Sequence, residues 1–232
     1  MTQDLASITR FIKRNIGKRI IPYDLQAYTA AYIMQDDIDC EIGGKTLLLY
    51  ASKSGDYNLS KYLIENGANI NFQDEEGISA LTYAAINNKY KCVELLLDHD
   101  ADINYDMFSS TITYICELGF IECLKVFLNY EGIDMECLDY ENTSALHLAA
   151  GRGHIECVKL LLNNGFNVNC KTIYNSTPID YAIYRGNDQI FKLLLNFGAE
   201  IPINLIKEPI VKEYINNKLK KSQGPLYQKI YL

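Results

Sequence analysis

Tryptophan is absent from this 232-residue chain, and histidine, with three copies, and proline, with five, are scarce. Three histidines leave little from which a hydrolase or metalloenzyme could be assembled. No G-x-S-x-G, P-loop or H-E-x-x-H pattern supplies other catalytic parts. The seven cysteines form no C-x-x-C pair, so neither a zinc knuckle nor a redox motif is spelled out. No apolar run approaches the roughly 18 residues that a membrane span needs. The basic start runs into FIKRNIGKRI without the long apolar core of a secretory signal. The chain is therefore expected in the cytoplasm or nucleus, with its thiols reduced.

What is present is globular in kind: 48% of residues are apolar, enough to bury a core. The net charge of -7 is unevenly placed. Residues 1–20 and residues 207–232 each balance at +4, which leaves -15 for the middle. An acidic body repels a phosphate backbone, so nucleic acid is not an expected partner, whereas a basic protein docking on the central residues is. Leu5, Ile8, Phe11, Ile12 and Ile16 run among the basic residues of the N-terminus. That pattern reads as an end-cap helix in preference to a membrane-surface or targeting helix.

Four stretches fall into register: GKTLLLYASKSGDYNLSKYLIENGANIN (44–71), GISALTYAAINNKYKCVELLLDHDADIN (77–104), NTSALHLAAGRGHIECVKLLLNNGFNVN (142–169) and NSTPIDYAIYRGNDQIFKLLLNFGAEIP (175–202). Neighbouring copies start 33 residues apart. A poorer copy, FSSTITYICELGFIECLKVFLNYEGIDMEC (108–137), begins two residues early and carries an extra residue near Glu131. Self-similarity at this period marks a stack of supersecondary units, none of which can bury its apolar face alone. In the best copy a polar turn leads into a short helix over Ser144 to Ala150, broken by Gly153. A second helix runs from about His154 to Asn163, with Val158, Leu161 and Leu162 inward, and Asn164-Gly165 ends it.

SALHLAA resembles the T-P-L-H-x-A-A signature of ankyrin repeats. STPIDYA keeps Thr177-Pro178, and GANIN at 67–71 is similar to that family's closing turn. The resemblance implies an all-α solenoid of helix-turn-helix units joined by β-hairpin-like turns, with helical caps. It places five repeats over 41–202 (41–73, 74–104, 105–138, 139–171 and 172–202). Degenerate capping units fall at 1–40 and 203–221, and a tail at 222–232. The irregular third repeat should disturb the stack and leave a kink or looser joint.

His147, His154 and Cys157 would share a face on one unbroken helix, but the Gly-Arg-Gly break puts His147 on a different helix from the other two. The resemblance gives His147 a structural role, hydrogen-bonding between adjacent turns, and Asp180 stands at the same position in the last repeat. Cys157 shares its slot with Cys92, Cys123, Leu59 and Ile190, which is the substitution pattern of a packing position. No metal and no cofactor is expected, nor any catalytic residue.

The resemblance implies a non-catalytic, monomeric module that binds protein partners through its concave face. Hairpin tips and the bends between paired helices line that face in the family. Carried onto this chain, the tips hold Lys45, Glu75, Glu76, Met107, Tyr140, Glu141, Thr143 and Tyr174. The bends hold Lys53, Phe120, Arg152, His154, Tyr184 and Arg185. The C-terminal part is rich in Tyr and Arg, the residue types that dominate binding hot spots. An adaptor is a second reading: the tail beyond the last repeat would recruit other machinery, as F-box-like tails do in similar proteins of large DNA viruses. About thirty residues are too few for a full F-box here, and no clear match to one is visible. A regulatory subunit of an enzyme is a third.

Overall fold

The computed structural model describes residues 37–41, 43–103, 111–130 and 141–221. Most of the N-terminal cap, the extra residue near Glu131, Met107, Cys137, Tyr140 and the tail 222–232 lie outside the described residues. The chain divides into two compact units, Met1–Tyr140 and Glu141–Leu232.

Unit 1 holds three helix pairs: α1 (Leu47–Ser54) with α2 (Tyr57–Glu65), α3 (Ala80–Ile86) with α4 (Tyr90–Leu97), and α5 (Thr111–Leu118) with α6 (Ile121–Leu128). Helices α1, α3 and α5 pack in one layer, and α2, α4 and α6 in a second. Unit 2 repeats the plan with α7 (Ala145–Arg152) and α8 (Ile155–Asn163), then α9 (Pro178–Tyr184) and α10 (Asp188–Asn196). A 3-10 turn at Ile203–Leu205 leads to α11 (Pro209–Lys221). Val211 of α11 is buried, and Tyr214 meets Phe191 edge-on at 5.4 Å, which seals the apolar side of α10. Among the described residues every regular element is helical, and Gln73 and Ser79 form an isolated β-bridge. That bridge closes the turn ahead of α3. The turn ahead of α9 is closed by Thr172 N–H donating to the Ser176 carbonyl at 2.9 Å.

The helices are short, seven to nine residues apart from α11, so caps and packing rather than length must hold them. The Asp56 carboxylate accepts from Leu59 N–H at 3.0 Å at the start of α2, and Ser79 Oγ accepts from Thr82 N–H at 3.2 Å at the start of α3. Gly153 ends α7 in the left-handed conformation at φ 87°, and Asn88 takes the same place after α3 at φ 57°. The inward side chains vanish from solvent: Val158, Leu161, Ala149, Ala150, Ala84 and Ala85 are fully buried. Alanine at the last two of those slots lets neighbouring helix backbones approach closely.

The position held by His147 shows how adjacent repeats are joined. Ser144 N–H donates to His147 Nδ1 at 3.1 Å, which makes Nδ1 an acceptor, so Nε2 carries the proton that it donates to the Ser176 carbonyl at 3.0 Å. The imidazole thus caps its own helix and holds the next turn, as expected. Asp180 does the capping half of that task, accepting from Thr177 N–H at 2.7 Å and from the Thr177 hydroxyl. Thr82 does both halves with a hydroxyl, pairing with Ser79 Oγ at 3.1 Å and with Thr111 Oγ1 of the following repeat at 3.0 Å. A further stitch recurs on the loops: Asp39 accepts from Asn69 N–H at 2.9 Å, Asn71 from Asp102 N–H at 2.9 Å, and Asn169 from Glu200 N–H at 3.0 Å.

Candidate protein-binding surface

In unit 1 the candidate residues divide between internal bonding and solvent. Lys45, read as a tip residue, pairs with Asp74, whose side chain is only 1% exposed. The other bonds to that carboxylate come from the Tyr83 hydroxyl at 2.6 Å and the backbone N–H groups of Glu76 and Ile78 at 3.0 and 2.9 Å. The ammonium groups of Lys45 and Lys53 lie 5.1 and 5.3 Å from the centre of the Tyr83 ring. Burial opposes charge on both partners of the pair, yet their hydrogen bonds outweigh it. Asp74 is held below the ordinary carboxylate range and Lys45 above the ordinary lysine range. Lys45 therefore fastens the turn, while Lys53, Glu75 and Glu76 remain exposed. Phe120 is half-buried at the N-cap of α6.

In unit 2 the turn and bend residues reach solvent, with two exceptions. Tyr174 is 68% exposed and its hydroxyl donates to Glu141 Oε1 of the preceding repeat at 3.4 Å. Ile173, beside it, is also exposed and ties its N–H to the Glu141 carbonyl at 2.9 Å. Arg152 ends α7, and Tyr184 and Arg185 end α9; all three are exposed. Thr143 is buried at the start of its repeat, which removes its side chain from the accessible face, and His154 is half-buried as the N-cap of α8.

Two features escaped the sequence reading. Tyr181 packs across Gly151, where an added Cβ would come within 3.1 Å of its ring, and meets His147 edge-on at 5.1 Å. The second is a cavity of about 310 Å³ lined by Gly153, Ile155, Gly186, Asn187, Asp188, Gln189 and Ile190. Asn187 Nδ2 donates to the carbonyls of Ala150 and Gly151 at 2.7 and 3.1 Å, pinning one bend to the helix before it. Gly153 and Gly186, 33 residues apart, were the available signal: space is open at Gly186, whereas a Cβ at Gly153 would come within 3.3 Å of Asn187 Oδ1.

The shared slot of Cys92, Cys123, Cys157, Leu59 and Ile190 is buried in all five copies. Burial pushes the thiols of Cys92 and Cys157 up to about 11 and that of Cys123 to about 12, which leaves them poor nucleophiles. Among the described residues no group of three or more His, Cys, Asp or Glu side chains is placed to hold a metal ion. None of their helices is long and apolar enough to cross a membrane.

The sequence model for ankyrin repeats in three copies matches residues 16–107 and again 112–204. The chain belongs to the ankyrin-repeat family. Among curated proteins, this ankyrin-repeat chain is similar to the ankyrin repeat protein YahD of Escherichia coli (strain K12), 30% identical over 116 residues, covering 49% of this chain and 57% of YahD. It is also similar to the ankyrin repeat protein FPV014 of Fowlpox virus (strain NVSL), 31% identical over 128 residues, covering 54% of this chain and 29% of FPV014. The E3 ubiquitin-protein ligase KEG of Arabidopsis thaliana is 25% identical over 127 residues, which are 53% of this chain and 8% of KEG. The chain thus spans a minor part of most of these relatives and little more than half of YahD. Ankyrin repeats are in general protein-interaction modules.

Proposed function

We propose that this chain acts as a non-catalytic binding module that takes a partner protein on the turn and inner-helix face of unit 2. The observation that carries this reading is the exposure of Tyr174 and Tyr184 and of Arg152 and Arg185. Exposed tyrosines present large rigid surface with a polar tip, and arginine adds a planar donor fork. Unit 1, with Glu75 and Glu76 at an exposed tip, supports a basic partner there as a secondary contact.

The test is an affinity pull-down comparing the intact chain with a variant carrying Arg152→Ala, Tyr174→Ala, Tyr184→Ala and Arg185→Ala, and with a chain ending after Lys221. Helical signal and melting of each variant are checked first. A protein held by the intact chain and by the shortened one, but lost with the quadruple change, is the expected result. Loss on shortening alone would transfer recognition to the tail and put the adaptor reading first.

A further inference from the structure

Two consecutive bends of unit 1 carry positive charge in a unit that is otherwise acidic. Over residues 52–58 and 85–91 the charged side chains are Lys53, Lys89, Lys91 and Asp56. Asp56 is buried and accepts from Leu59 N–H, while Lys53 and Lys91 are exposed and Lys89 is half-buried. The ion pairs between described side chains are Lys45 with Asp74, Lys61 with Glu65, Lys125 with Glu122 and Lys159 with Glu156, so these three lysines stand outside them. Glu94 lies a turn further along α4, and Glu117 is half-buried at the end of α5.

The fold does not ask for lysine here. Lys89 is the N-cap of α4, a position that favours a short acceptor side chain. Asp56 fills that position in α2 and bonds Leu59 N–H, whereas Lys89 makes no capping bond. Lys91 follows in the first turn, so both charges stand at the positive end of the helix. Lys89 also reaches out of its own repeat. Its stem lies across Gly55, where an added Cβ would come within 2.5 Å of Lys89 Cδ. Tyr57 and Tyr90 open α2 and α4, are each 39% exposed and hold the same place in successive repeats. Helix α2 packs on α4, and the axes of packed helices lie roughly 8–10 Å apart. Lys89 precedes Tyr90 and crosses two residues before Tyr57, which puts its stem between the two helix starts.

We infer that these two bends dock a short acidic segment of a partner protein, its carboxylates among Lys53, Lys89 and Lys91 and its aromatic or aliphatic side chains against Tyr57 and Tyr90. Lysine stems are flexible and follow a carboxylate, and an exposed tyrosine ring offers rigid apolar area, so the segment needs no fixed register. Charge complementarity sets the sign of the ligand, and the extent of the patch sets its length. Residues 1–140 hold 22 Asp and Glu against 11 Lys and Arg. A nucleic-acid strand, charged at every residue, runs on into that acidic surround. A peptide with two or three carboxylates ends within about one Debye length, 8–10 Å, of the lysines. This site belongs to unit 1 and is independent of the binding face proposed for unit 2.

The test is selection of twelve-residue peptides from a random display library on the full chain, with binding of a synthetic member then measured on three variants. Lys89→Asp/Lys91→Glu suits the fold, because Asp can cap α4 as Asp56 caps α2 and Glu suits a first turn. That variant should melt roughly 2–4 °C higher. The expected peptides carry two or three acidic residues beside an aromatic or aliphatic one. A synthetic member should bind about tenfold more weakly to the lysine variant and about threefold more weakly to Tyr57→Ala/Tyr90→Ala. It should bind unchanged to the quadruple variant of unit 2, which keeps the two readings apart. A pool without acidic excess overturns the inference, as does an acidic peptide that the lysine variant holds as tightly as the intact chain or that only the unit 2 variant loses. A lysine variant that melts lower overturns it as well, since Lys89 would then serve the fold. Equal affinity for a twelve-residue thymidine oligonucleotide does the same, because the patch would then read charge alone.

Discussion

The two units share one plan and use their polar residues in opposite directions. Unit 1 holds 22 of the 29 acidic residues, yet its Lys45 is turned inward onto a buried carboxylate and its Tyr83 is buried between two ammonium groups. Unit 2 keeps Tyr174, Tyr184, Arg152 and Arg185 in solvent and holds its repeats together with neutral groups, His147 and Asn187 among them. The difference teaches that residue type does not assign a role on a repeat scaffold. Lys45 and Tyr174 both reach a carboxylate across a repeat boundary, and what separates them is that Asp74 is buried while Glu141 is exposed.

The largest way to break the comparison is Asp74→Ala. It strands the Lys45 ammonium, the Tyr83 hydroxyl and two backbone N–H groups together, and should cost unit 1 about 3–5 kcal/mol. Hydrogen exchange followed by mass spectrometry should show lost protection in α1 to α4 with α7 to α10 unchanged; uniform loss would contradict the separation. The same carboxylate predicts the acid limb of stability. Its folded pKa is depressed, so its contribution is full above the unfolded value near ~4 and fades as pH falls through the folded value. The raised Lys45 keeps its share up to the unfolded lysine value near ~10 and loses it only as pH rises beyond the folded one. Urea unfolding from pH 7 to pH 2 should therefore show a shallower acid decline for Asp74→Asn than for the parent chain, and equal slopes would sink the assignment.

A smaller effect, confined to unit 2, is expected from His147→Ala, which removes a fully buried ring and orphans the Ser144 N–H and the Ser176 carbonyl at a cost of about 3 kcal/mol. His147→Thr should recover part of this, because Thr82 already fills that slot. Chemical denaturation of both variants checks the order, and a threonine variant weaker than alanine would refute the shared role. The smallest change runs the other way. Ser52 Oγ is buried without a hydrogen-bond partner, at a position where other repeats place Ala85 and Ala150, so Ser52→Ala should raise stability by about 1 kcal/mol. A lower melting temperature would reveal a partner for that hydroxyl.

Much of this was legible in the chain. The 33-residue period announced the helix pairs, the exchange of Cys157 with Leu59 and Ile190 announced a packing slot, and the register put Tyr174 and Tyr184 on the surface. Lys45 was not legible as an internal group, because its partner lies 29 residues away and the repeat register describes a tip without saying what crosses it. Thr143 failed for a related reason: one residue before a helix cap, the chain has already turned inward. The cavity was hidden because its lining comes from two successive repeats, Gly153 and Ile155 of one and Gly186 to Ile190 of the next, which the register does not bring together.

The loop stitches from Asp39, Asn71 and Asn169 have a mechanical consequence. Each ties one repeat to the next at the same point of its loop, so tension applied to the two ends loads them in series and no single bond protects the whole. Pulled in a force spectrometer, the chain should surrender one repeat at a time. Each step should release roughly 110 Å of extended chain for its 33 residues, and a sawtooth of even teeth would be its signature.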